Sequence, residues 1–184
     1  MLGIGITLGA LVVLIIATIV IYNKLVKYKN LMQEAWSAID VFLKKRHELV
    51  PNLVETVKGY ATHEKTTLEE ITRYRMKAML SRHNSEDQVA SENRLGEALT
   101  NLLVTVENYP DLKANTNFLR LQQQLTDLEH DLEASRRYYN GTVRINNIYV
   151  EKFPSNIIAG IFNFRKGMFF AADSSEKGVP QVSF

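Results

Sequence analysis

His47-Glu48 and His63-Glu64 are the places where this sequence could begin zinc chemistry, because a second imidazole one helical turn on would put two metal ligands on one face. Neither pair is completed: the position a turn later is Pro51 in one case and Thr67 in the other. A dinuclear carboxylate centre in a helical bundle needs two Glu-x-x-His pairs, and the chain offers a single Asp127-x-x-His130. His47 and His63 are therefore read as surface or hydrogen-bonding residues. No Gly-rich phosphate cradle and no GxSxG nucleophile turn occurs, and the sequence has no cysteine. The chain is expected to be non-enzymatic, with no cofactor and no metal. Asn140-Gly141-Thr142 has the spacing of a glycosylation acceptor, but it falls inside a strongly helical pattern. Gly141 there suggests instead a place where another helix or a lipid surface comes close.

The polar residue with the most demanding surroundings is Arg46, which falls on an apolar stripe with Asp40, Lys44 and Glu48 nearby. A guanidinium in that position requires carboxylates or carbonyls, and Glu107, Asp111 and Glu129 are the candidates. A buried ion pair that fixes the register of packed helices is the expected role.

The elements that must position these groups start with the first thirty residues. Leu2 to Ile21 is a run of 20 residues without a charge, interrupted only by the hydroxyls of Thr7 and Thr18. At a rise of about 1.5 Å per residue such a run crosses the roughly 30 Å hydrocarbon layer. It lacks the charged leader, short apolar core and small-residue cleavage site of a signal peptide, so residues 1–22 are read as a permanent transmembrane anchor. Lys24, Lys27 and Lys29 follow directly, which predicts a cell-membrane protein with its N-terminus outside and its C-terminal domain in the cytoplasm. Tyr22 and Tyr28 fall where aromatic rings favour the membrane interface.

Beyond the anchor the chain reads as helix. A first stripe runs through Leu25, Tyr28, Met32, Ala35, Ile39, Phe42, Arg46, Leu49, Leu53 and Tyr60, with Trp36, Leu43, Val50 and Val57 beside it. It stays in phase across Pro51, which predicts a kink rather than a break. Thr66 and Glu69 have capping-box spacing before a short helix marked by Leu68, Ile71, Arg75 and Ala78. Ser81 to Asp87 reads as a loop, with Ser85 capping a third helix through Leu95, Leu99, Leu102 and Val106 that Pro110 ends. The fourth pattern runs Phe118, Leu121, Leu125, Leu128, Leu132, Ser135, Tyr139, Thr142, Asn146, Tyr149 and Phe153, alternating steps of three and four. Its polar members require a partner that satisfies them. The fold class is all-α: a single N-terminal transmembrane helix followed by an antiparallel four-helix bundle over residues 23–153. A Phe-rich segment, 154–172, and a loose tail, 173–184, complete the chain.

Five of the eight phenylalanines lie in 18 residues from Phe153 to Phe170. A short helix that caps the bundle end accounts for them, and so does contact of Ile157, Ile158, Ile161, Phe162 and Phe164 with lipid or with another subunit.

The segments AWSAIDVFLKKRHELVPNLVETVKGYATHEK (35–65), YPDLKANTNFLRLQQQL (109–125), RRYYNGTVRINN (136–147) and FPSNIIAGIF (153–162) together resemble the bacterial LemA family, in that family's order and spacing. The resemblance implies one N-terminal transmembrane helix, an outside N-terminus and a cytoplasmic antiparallel bundle, the LemA domain. It carries over no catalytic residues. One similar branch takes part in magnetosome membrane biogenesis and members often neighbour membrane proteases, which implies membrane organisation or stress physiology. The expected partners are the lipid bilayer, further copies of the chain as a homo-oligomer and, on the alternative of an adaptor, another membrane protein.

Nucleic acid is not expected, since the net charge of the 184 residues is only +2, from 22 basic and 20 acidic side chains. The three juxtamembrane lysines contribute +3, which leaves the remainder of the chain at −1.

Overall fold

The computed structural model describes residues 2–61 and 63–170, with side chains from Ile6 onward; the loose tail expected over 173–184 lies outside the described residues. The fold is all-α, with α1 (Leu2–Lys58), α2 (Lys65–Leu80), α3 (Glu86–Val106), α4 (Pro110–Lys113), α5 (Thr116–Glu151) and α6 (Ser155–Ile161). The long helices pack antiparallel, as the sequence predicts. Two compact units divide the chain, one formed by residues up to Ala38 with Ser135–Phe169, the other by Ile39–Ala134.

α1 is one uninterrupted helix from the charge-free segment to Lys58. It passes through Pro51, whose missing N–H leaves the carbonyl of His47 without its helical donor. Arg75 of α2 fills the vacancy, donating from Nε to that carbonyl at 2.7 Å.

The expected stripe along α1 is buried at Leu25, Ala35, Ile39, Arg46 and Leu53, half-buried at Tyr28, Met32, Phe42 and Leu49, and exposed at Tyr60. A second line of the same spacing, formed by Trp36, Leu43, Val50 and Val57 together with Ile39, Arg46 and Leu53, is buried throughout. Both lines share Ile39, Arg46 and Leu53 and satisfy the same spacing. What separates them is the position of the partner helices, which spacing along one chain does not encode.

In the Ile39–Ala134 unit, α1, α2, α3 and α5 contribute to a single core that includes Val50, Leu53, Ile71, Leu95, Leu99, Leu102, Phe118 and Leu125. Each such side chain taken from water stabilises by about 1.5–3 kcal/mol. Local signals set the helix ends. Ser85 caps α3 as expected, its hydroxyl accepting from the Gln88 N–H at 3.2 Å. The capping box does not form: Glu64 occupies the cap position of α2 without a side-chain bond, placing Thr66 inside the first turn. Pro110 does not terminate α3, which stops at Val106; it opens α4 at the first helical position, where no N–H is needed.

In the other unit α1 and α5 face each other, with Trp36 edge-on to Tyr139 at 5.1 Å between ring centroids and Tyr28 against Tyr149 at 4.4 Å. Position rises along α1 as it falls along α5, so the pair is antiparallel. A cis Phe153–Pro154 peptide links α5 to α6. α6 turns Ile158 and Ala159 inward onto Leu25, and the chain then returns along α5 as an extended strap. The strap is the partner that the polar half of the α5 seam requires. Tyr139 donates its hydroxyl to the Met168 carbonyl at 2.8 Å, and the Asn146 amide donates to the Arg165 carbonyl at 3.3 Å. Asn147 both accepts from the Gly167 N–H at 2.7 Å and donates to its carbonyl at 3.0 Å. Thr142 satisfies its hydroxyl on the Tyr139 carbonyl at 2.7 Å.

Candidate functional site

Two groupings of polar and aromatic residues stand out, one in each unit. The first is the charge cluster around Arg46. Its side chain has no exposed surface and reaches two carboxylates. Nη2 donates to the carbonyl of Glu92 at 3.1 Å and pairs closely with Glu92 Oε2, while Nη1 donates to both carboxylate oxygens of Glu129, at 3.0 and 3.2 Å. His47 Nε2 lies 2.8 Å from the other Glu92 oxygen, Oε1, a close polar contact without hydrogen-bond alignment.

Burial of Arg46 disfavours its charge, but the fields of Glu129 and Glu92 outweigh that and hold its pKa above the ordinary value. Burial likewise favours a protonated Glu92; the His47 contact and the Arg46 charge overcome it and hold the carboxyl below its usual range. The cluster is thus an ion-pair network, buried at Arg46 and Glu92 and part-exposed at Glu129, that joins α1, α3 and α5.

Glu129 is the one expected partner that the structure brings to Arg46. Glu107 is exposed and pairs with Lys113, and Asp111 is exposed in the first turn of α4. Glu92 was not among the expected partners. One step back along the α3 spacing from Leu95 lands on it, so the signal was present, masked by the habit of treating a carboxylate as solvent-facing. His63 is exposed, and His130 is exposed beside Asp131. Gly141 has open space where a Cβ would lie, so among the described residues no other helix makes the close approach there.

The second grouping lies where the charge-free part of α1 ends. Lys24, Lys27 and Lys29 are all exposed, and Tyr22 packs edge-on to Phe162 and Phe164 at 4.8 and 5.7 Å. The Lys29 ammonium lies 6.0 Å from the Phe164 ring centre, and Lys152 lies 4.2 Å from that of Tyr149. Tyr28 bonds to Tyr149, which raises the pKa of the Tyr28 phenol and lowers that of Tyr149; Lys152 and Lys24 favour the Tyr149 phenolate further. Of the residues expected to contact lipid or a subunit, Ile157, Ile161 and Phe162 point outward, Phe164 is half-buried and Ile158 is buried. Ile158 is withdrawn from any outside contact by its packing on Leu25.

The sequence profile of the LemA family matches residues 35–184. The chain belongs to the LemA family. Its LemA-family relatives include Protein LemA of Metamycoplasma hominis, 26% identical over 84% of this chain and 71% of that one. Magnetosome protein MamQ 2 of Paramagnetospirillum magneticum is 23% identical over 86% of this chain and 68% of its own. MamQ of Magnetospirillum gryphiswaldense is 21% identical over 90% and 70%. Within this LemA-family chain, the profile covers α1 from Ala35 onward, including Arg46, and all of α2 to α6, while the charge-free segment of α1 lies ahead of it. That segment is long and apolar enough to cross a membrane.

Proposed function

We propose that this LemA-family chain is a non-enzymatic membrane scaffold, anchored in the cell membrane by the start of α1 with its N-terminus outside and its helical domain in the cytoplasm, which self-associates to organise or remodel the bilayer. The observation that carries this reading is the continuity of α1: the same unbroken helix holds the charge-free segment and the buried positions Trp36 to Val57. An anchor joined by a flexible linker lets a domain drift, whereas one that continues as the same helix into Leu25, Ala35 and Trp36, buried in its own unit, couples packing there to tilt of the span. The exposed Lys24, Lys27 and Lys29 support the orientation and add attraction to anionic headgroups of about 1 kcal/mol each. Similarity to magnetosome proteins supports a role at a membrane.

The test is imaging of the full-length protein in vesicles. Ordered assemblies or altered curvature are expected; single particles in undeformed vesicles would overturn the scaffold. A second reading, an adaptor for a membrane protease or sensor, is favoured by Met76, Met79 and Leu80, which expose one apolar face of α2. Cross-linking from that face in cells recovers a second protein on this reading and only self-contacts on the first.

A further inference from the structure

The outward face of α6 has no counterpart in the core. The helix reads SNIIAGI, with no charged residue. Ile158 and Ala159 serve its inner face, while Ile157 and Ile161, one turn apart, are 52% and 69% exposed, and Phe162 just beyond is 51% exposed. Phe153, immediately before the cis peptide, is 77% exposed. Four large apolar side chains crowded into ten residues cost free energy in water unless something covers them.

The contacts on the other face identify the cover. α6 packs on Leu25, and Phe162 and Phe164 pack on Tyr22, so the patch sits at the level of Tyr22 to Leu25. That is the point where the charge-free segment gives way to lysines. Three residues of helix correspond to about 4.5 Å along its axis, which is the depth scale of the headgroup and acyl boundary. The cations flanking the patch match an anionic surface: Lys24, Lys27 and Lys29 are exposed on α1 and Arg165 is exposed just after Phe164. The strap bonds from Tyr139, Asn146 and Asn147 fix the segment that follows α6, so the patch is held in place rather than tethered loosely.

We infer that α6 and its flanking phenylalanines form a second membrane contact, a short wedge in which Phe153, Ile157, Ile161 and Phe162 enter the interface of the same anionic leaflet that the lysines touch. This rests on the anchor reading above. A helix-long span with a wedge beside it occupies more area in one leaflet than in the other, which supplies a physical route to remodelling.

Because the chain has no cysteine, single substitutions can be labelled cleanly in the full-length protein. Ile161→Cys, Leu14→Cys and Leu80→Cys, each carrying an environment-sensitive fluorophore, are placed in nanodiscs that hold one copy each, made with phosphatidylglycerol or with phosphatidylcholine alone. The wedge requires a blue shift and quenching by spin-labelled lipid at Ile161→Cys, greater in phosphatidylglycerol, with no quenching at Leu80→Cys. A water-like signal at Ile161→Cys beside a lipid-like one at Leu14→Cys overturns the wedge and spares the anchor. Water-like signals at both overturn the anchor too. Protection at Ile161→Cys that appears only with several copies per disc assigns the patch to a neighbouring subunit and also overturns the proposal. Phe162→Cys, measured alongside, covers the case in which the label at position 161 perturbs α6.

Discussion

The guanidinium of Arg75 donates from Nε to the main-chain carbonyl of His47 at 2.7 Å. That carbonyl is available because the residue one turn on is Pro51, which has no N–H to give. A proline in the middle of a 57-residue helix would ordinarily destabilise it by about 3 kcal/mol. Here the freed acceptor is turned outward to the next helix, so part of that cost returns as a contact between α1 and α2. The neighbouring side chain, His47, meets Glu92 at the same level.

Pro51 and Arg75 should therefore be energetically coupled. Arg75→Ala in the native background leaves the His47 carbonyl without a protein donor and is expected to destabilise by about 1–3 kcal/mol. In a Pro51→Ala background the helix supplies its own N–H to that carbonyl, and the same change should cost less than half as much. Denaturation of the detergent-solubilised full chain, arranged as a double-mutant cycle, measures the coupling; additive effects would show that the bond carries no weight.

The Arg46 network makes a larger prediction. Arg46→Met removes the guanidinium from a fully buried carboxylate, Glu92, which leaves it only the His47 contact and is expected to cost about 3–5 kcal/mol. Replacing Arg46 and Glu92 together with apolar residues should recover most of that loss, because the core then contains one buried carboxylate fewer. Glu129, whose side chain keeps 35% of its surface exposed, can turn to water when Arg46 is gone. If the double substitution is as damaging as the single one, the network contributes more than register.

Acid lability follows from the same residues. Glu92 is held below its ordinary value of 4.5 in the folded chain, so the unfolded chain takes up its proton first. The stability it contributes is fully present above about pH 4.5 and is lost as pH falls through the lower folded value. Glu92→Gln should flatten the acid limb of a stability profile. In Arg46→Met the guanidinium is gone while burial and the His47 contact remain, so the carboxyl is held down less strongly and the acid limb of this variant should be shallower than that of the native chain. Denaturation midpoints from pH 7 down to about 3.5 test both slopes.

These residues also mark how far the sequence carried. The uncharged run, the all-helical content, the Ser85 cap and the α5 seam through Asn146 are encoded by neighbours within a turn or two, and each is found where the spacing puts it. The buried face of α1 was found at Leu25, Ala35, Ile39, Arg46 and Leu53, but which of the two lines of equal period through Ile39, Arg46 and Leu53 lies deeper was not legible. Resolving them requires knowing where α3 and α5 lie, information held in contacts between residues such as Arg46 and Glu92, 46 positions apart. The strap was invisible for a related reason. Its bonds are made by main-chain groups of Arg165, Gly167 and Met168, and main-chain groups carry no residue-specific signature. What could be read was the need: a polar Asn146 on an apolar seam demanded a donor or acceptor from somewhere.

Asn147 tests that strap directly. Its amide engages both main-chain groups of Gly167, imitating one rung of a β-ladder. Asn147→Ala leaves the pair unmade and should weaken the strap by about 1–3 kcal/mol without unfolding α5, whose helical bonds are untouched. The expected readout is faster amide exchange at Gly167 and Met168, with the amides of Leu125 and Leu128 unchanged. Asn147→Asp, which keeps the acceptor and loses the donor, should fall between the two. Equal protection in all three proteins would mean that Asn146 and Tyr139 hold the strap by themselves.

Orientation is the remaining property that specific residues should control. Lys24, Lys27 and Lys29 directly follow the charge-free segment of α1 on its C-terminal side. Insertion retains positive residues in the cytoplasm according to their number near the span, so these three supply the bias. Replacing them together with Gln should leave the apolar segment able to insert but should produce a mixed population of orientations. A single Leu80→Cys, on a position 82% exposed, reports the outcome through a membrane-impermeant maleimide added to intact cells or sealed inverted vesicles. The native lysines should give labelling only in inverted vesicles, and the triple Gln variant labelling in both. Unchanged one-sided labelling of the triple variant would shift the control of topology from the lysines to the folded domain, whose size can hold it on the side where it is made.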